Sequence, residues 1–164
     1  MSPKHPAPAP ERGAALLEIL ITLLVVSVGL LGVAGMQLTA VRSNHGSHLR
    51  SLAVYQAYDM AERMRANRLG VQDGDYDSLS GAGTDPGCGS SGCSPANLAA
   101  FDHYEWSTAN AALLPSGSGT VASDASGWWL ITVRWDGDRT GATGTGCSPS
   151  VSTDLKCYQL RVRP

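Results

Sequence analysis

Hydrophobic and polar positions change their rhythm three times along the chain. From Ile19 to Met36 there is no charged residue. That run of about 18 residues, at a 1.5 Å rise, nearly spans a hydrocarbon core, and adding Ala14–Leu17 makes it long enough. From Leu49 the apolar positions thin into a stripe: Leu49, Ala53, Gln56, Met60 and Met64, with Leu52, Ala57 and Ala61 alongside. Spacings of three and four predict an amphipathic helix lying on a core. No proline interrupts the chain from Ala14 to Pro86, so the two stretches predict one helix from Ala14 to Asn67, about 80 Å long. Arg63, Arg65 and Arg68 favour its C-terminal end through the helix dipole, and Gly70 is its expected stop.

Beyond Gly70 the rhythm changes again. Gly70–Cys93 is acidic and glycine-rich and predicts a loop. Ser94-Pro95 is a helix start, with Ser as N-cap and Pro in first position. The helix it opens runs to about Ala111, with Asp102, Trp106, Ala109 and Leu113 on one side and Leu98, Phe101 and Glu105 on another. Pro115 and Gly117 close it. Gly119–Ala122 predicts a strand, and two stronger alternations come after it. In "WWLITVRW", Trp129, Ile131, Val133 and Trp135 alternate with Trp128, Leu130, Thr132 and Arg134. In "CYQLRVRP", Tyr158, Leu160 and Val162 oppose Gln159, Arg161 and Arg163. The fold class is therefore α+β: a long N-terminal helix whose second half packs on a small antiparallel sheet. Trp129 and Trp135 are expected in the core, and a Trp facing away, such as Trp128, is a candidate contact for a neighbouring subunit.

Composition narrows the class. The 164 residues carry a formal net charge of −2, which excludes a strongly basic nucleic-acid binder. Ahead of the apolar run, Met1–Gly13 holds Lys4, Arg12 and four prolines. Positive charge there predicts a cytoplasmic N-terminus and a translocated C-terminal region. Cys88, Cys93, Cys147 and Cys157 all come after the apolar run. Their C-x4-C and C-x9-C spacings fit neither a zinc ribbon nor a thioredoxin-like site, and two disulfides in an oxidising compartment fit better. Four cysteines allow three pairings. Cys88–Cys93 with Cys147–Cys157 is preferred because each closes a short loop, and the others stay open.

Glu18 breaks the pattern. An acid at the centre of a membrane helix costs about 2.5–3.5 kcal/mol, and less near an end. A cleaved secretory signal fits poorly, because the apolar run is longer than usual and no convincing A-x-A site lies beyond it. A plain anchor leaves Glu18 unexplained. If the chain is cut after Gly13, however, Glu18 is the fifth residue of the mature chain, one turn from the new amine. In an assembly of parallel helices its carboxylate pairs with a neighbour's Ala14 ammonium and encodes register.

"R-G-A-A-L-L-E", residues 12–18, resembles the class III signal of type IV pilins. The resemblance implies cleavage after Gly13 by a prepilin peptidase and methylation of the Ala14 amine. The family usually has Phe where this chain has Ala14 and Thr where it has Ala15. "GLLGVAGMQLTAVRSN" and "LRSLAVYQAYDMAERMRANR", with the later cysteines, resemble the PilV family of type IV pilus minor pilins, and "A-Y-D-M-A-E-R-M-R-A-N" (57–67) is the most specific stretch. This resemblance implies a pilin fold divided into a leader (1–13), a transmembrane and assembly helix (14–36), an amphipathic half (37–69) and a globular domain (70–164). The implied location is the bacterial inner membrane, with the C-terminal domain periplasmic, and then the pilus. The implied partners are other minor pilins, the major pilin, the prepilin peptidase and a tip adhesin, and the implied role is in a tip or priming complex. The alternative is a pseudopilin of a type II secretion system. It shares every feature up to Met36 and is distinguished by the Asp59–Asn67 run and the paired cysteines.

No catalytic set is legible, and no cofactor is expected. There is no G-x-S-x-G and no P-loop lysine. His45 and His48 are three apart on the helix but lack a third ligand nearby. "DGDYDS" (Asp73, Asp75, Asp77) has the start of a calcium loop but Ser78 and Thr84 where Gly and an acid are needed, so no metal is expected. Asp136 and Asp138 are expected to cap a strand end. Gly29, Gly32 and Gly35 fall roughly on one face, which fits either close helix packing or the ordinary glycine content of membrane helices.

Overall fold

The computed structural model describes residues 12–88 and 92–164, with side chains from residue 15 onward. The chain divides into two units, Met1–Asn44 and His45–Pro164. Helix α1, Arg12–Ala66, runs through the former to its end and continues into the latter.

In the second unit the order of elements is the end of α1, α2 (Arg68–Gln72), β1 (Ser78–Ser80), α3 (Pro95–Leu113), β2 (Ser118–Ser123), β3 (Trp129–Trp135) and β4 (Lys156–Val162). The four strands form one sheet in sequence order, each antiparallel to the next. Register lines up one apolar row across all four: Leu79 opposite Val121, Val121 opposite Ile131, and Ile131 opposite Leu160. This is the inner face that the period-two alternation specifies.

The predicted stripe of α1 lies against that face. Leu49, Ala53, Gln56, Ala57, Met60, Ala61 and Met64 are buried, and Leu52 packs at the margin. Ile131, Val133 and Trp135 are buried in the same cluster, with Trp129 half-buried beside it. Trp106 of α3 ties the layers together. It is fully buried, its indole Nε1 donates to the Gln56 carbonyl (2.8 Å), and its ring lies over Gly119 of β2, where a Cβ would strike it. Gly119 is thus required by close approach.

The structure corrects three expectations. The segment 70–93 is not all loop, since it holds the end of α2 and the short β1. A three-residue strand carries too little alternation to read, and its pairing with β2 is long-range. Gly70 does not end α1. The helix stops at Ala66, Asn67 caps α2 through its side-chain oxygen (3.3 Å from Gly70 N), and Gly70 is buried inside α2. Helix α3 extends to Leu113, and its buried side is Ala99, Asp102, Trp106 and Asn110, while Leu113 is exposed. Two of those four buried residues are polar, so hydrophobicity alone misplaces the face. The Ser94 cap stands where expected and accepts from Asn97 N (3.2 Å).

Candidate functional site

The first candidate surface is the apolar stretch of α1. From Leu16 to Val41 every large apolar side chain is exposed, from 46% (Val33) to 74% (Leu31). A soluble protein rarely leaves so much contiguous apolar surface in water. Hydroxyls within it are satisfied by their own helix: Thr22 donates to Ile19 O (2.8 Å), Ser27 to Leu23 O (2.6 Å) and Thr39 to Gly35 O (3.1 Å). This helix is long and apolar enough to cross a membrane. Glu18 is the one ionisable residue between Ala15 and Val41. It is exposed and makes no ion pair among the described residues. Gly29, Gly32 and Gly35 have open space where a Cβ would sit. The predicted leader 1–13, and Gly13 and Ala14 as cleavage and methylation sites, lie outside the described residues except for the helical backbone of 12–14.

The second cluster lies where α1, α2 and α3 meet. Arg63 Nε donates to Asp59 Oδ2 (2.8 Å), one turn away, and its Nη1 to Glu105 Oε2 (2.8 Å) and Asp102 Oδ1 (3.2 Å). Asp102 is buried and its other oxygen accepts from the Tyr76 hydroxyl (2.5 Å). Asn67 Nδ2 donates to Tyr76 Oη (3.1 Å) and to the Pro95 carbonyl (2.8 Å). Burial opposes the Arg63 cation, but hydrogen bonds to Glu105, Asp59 and Asp102 outweigh it and hold its proton more tightly than usual. Burial first, and the bond to Asp102 second, push the Tyr76 phenol up. These bonds make the cluster a latch between helices. The i, i+4 spacing of Asp59 and Arg63 is readable in sequence, whereas their partners Asp102 and Tyr76 are not.

The cysteines pair as Cys88–Cys93 and Cys147–Cys157, with Cα separations of 5.4 and 5.5 Å. Cys157 sits in β4, so the second bond ties the loop 136–155 to the sheet. Asp136 is buried and its carboxylate accepts from Thr140 N (3.1 Å) and Gly141 N (2.7 Å). Burial alone raises a carboxyl, but the backbone donors of Gly141, Thr140 and Ala142 reverse that and lower Asp136. Asp138 pairs with Lys156 (2.9 Å). Trp128 lies under the Arg161 guanidinium (5.1 Å), which also pairs with Asp124 (2.6 Å). Asp77 accepts from Trp129 Nε1 (3.1 Å), and no group of three metal-ligating side chains forms among the described residues.

A bare apolar helix leading into a helix-on-antiparallel-sheet unit is the α+β architecture of a pilin. Residues 35–104 match the Tt1218-like family model, described as Type IV pilin Tt1218. The match supports a type IV pilin; it spans the end of the apolar run, the amphipathic stretch of α1, α2, β1 and the start of α3. No curated protein and no solved structure matches the chain.

Proposed function

We propose that the protein is a membrane-inserted pilin subunit, cut after Gly13, that enters a type IV pilus by packing its apolar helix among those of other subunits. The observation that carries this reading is an exposed helix from Leu16 to Val41 whose one ionisable group is Glu18. In the membrane that surface faces lipid. In a fibre it exchanges lipid for neighbouring helices, and Glu18 meets a neighbour's Ala14 amine and selects the register. The resemblance of residues 57–67 to PilV-type subunits supports the finer assignment: a minor pilin acting with other minor pilins in a priming or tip complex, its C-terminal domain outside the cytoplasm. The protein in this reading is a structural subunit and not an enzyme.

Mass and N-terminal analysis of the mature chain from cells tests the proposal. The expected chain begins at methylated Ala14. A chain beginning at Met1, or cut beyond Met36, overturns it.

A further inference from the structure

On leaving β1 the chain crosses α3 as a strap. Gly81, with a left-handed backbone (φ 73°), turns it out of the strand. Gly83 then sits against α3, where a Cβ would strike the Tyr104 backbone. Its N–H donates to Ser107 Oγ (2.9 Å), and that hydroxyl donates to the Tyr104 carbonyl (3.1 Å). From Gly81 to Gly87 the strap carries no large apolar side chain, so few contacts hold it.

His103 belongs to the turn that Gly83 meets. It is half-buried, and its Nε2 is closed off from solvent with no hydrogen-bond partner among the described residues. Burial pushes the imidazole below its ordinary value, against the Gly81 backbone, which favours the proton. The carboxylates of the surrounding elements have other partners. On α3, Asp102 is taken by Arg63 and Tyr76, and Glu105 by Arg63. On α1, Asp59 is taken by the same arginine and Glu62 by Arg65. On the strap, Asp85 accepts from the Gly87 N–H (2.8 Å). Strands β1 and β2 carry no charged residue. An imidazolium at His103 therefore has a second N–H to place and no acceptor for it.

We infer that residues 81–87 form a pH-sensitive strap, lifted from α3 when a proton on His103 is left without an acceptor. With the ring neutral, the strap is closed. An imidazole in water titrates at about 6.5, so the open strap takes up the proton first as pH falls. The closed state keeps its full advantage above that value and loses it below. Opening uncovers the Tyr104–Ser107 turn of α3 and leaves the core intact, because no core residue belongs to the strap.

The test is amide hydrogen exchange of the full chain in dodecylmaltoside micelles at about pH 7.5 and about pH 5, each rate corrected for its intrinsic pH dependence. Protection at 82–84 should fall about tenfold at the lower pH, within the ceiling of about thirtyfold that a freed imidazole allows there. Protection at 57–64, in the buried stretch of α1, should hold. His103→Gln should keep the protection at neutral pH and abolish its loss in acid. Equal protection at the two pH values overturns the strap, and so does a loss that persists in His103→Gln or that 57–64 shares. Should the variant misfold, the ring carbons of His103 in the unaltered chain decide by their own titration. A midpoint below about 6.5, moving with the Gly83 amide, supports the strap, and any other result overturns it.

Discussion

Glu18 lies in an apolar run and Asp102 is buried, and the two carboxylates answer to different partners. Asp102 has its partners within the chain, in Arg63 and Tyr76. Replacing it with Ala leaves the cation and the phenol short of an acceptor. A fully buried pair broken on one side costs about 3–5 kcal/mol. Because the Arg63 side chain keeps 27% of its surface exposed, a loss of about 2 kcal/mol is expected for Asp102→Ala. The midpoint of urea unfolding measures it, and an unchanged midpoint contradicts the latch. Glu18 has no ion-pair partner among the described residues, so its proposed role lies between chains. Glu18→Ala should leave membrane insertion intact and cut recovery in sheared fibres by about tenfold or more, as loss of a desolvated charge pair requires. Undiminished recovery refutes a register role.

At the scale of elements, the sheet and helices show which signals a sequence carries. The α1 stripe and the alternation of β3 are legible because both are local periodicities, written in residues a few positions apart. The buried side of α3 is not. Asp102 looks like a surface residue until Arg63 and Tyr76, 39 and 26 positions away, are brought to it. The same limit applies to the candidate sites. The apolar run and Glu18 can be read directly, whereas the contacts of Asp102 with Arg63 and Tyr76 join distant positions and have no local signature. Glycines divide along the same line. Gly119 lies under the Trp106 ring, so Gly119→Ala should cost about 1–3 kcal/mol through overpacking. Gly46 lies in α1 with open space around it, so Gly46→Ala should stabilise by about 0.5–1 kcal/mol. Paired urea titrations of the two variants give opposite signs if this assignment of contacts is right.

For the molecule as a whole, the division of labour between its two units is sharp. Every buried hydrophobic residue among those described lies between Leu49 and Val162. The first unit contributes exposed apolar surface and no core. A chain lacking residues 1–44 should therefore stay in solution without detergent and unfold cooperatively, which circular dichroism and sedimentation can check. Aggregation of that fragment would mean that the apolar segment supports the fold as well as the assembly.

The sheet is strung in the order in which its strands are made. No strand has to insert between neighbours that are already joined, so the ladder grows outward at one edge and finishes with β4. Cys157 lies in that last strand, whereas Cys88 and Cys93 precede the start of α3. Oxidation should keep the same order in time. The five-residue link can close while the chain is still emerging, and the Cys147–Cys157 link closes only after the final strand has docked, sealing a unit that is already complete.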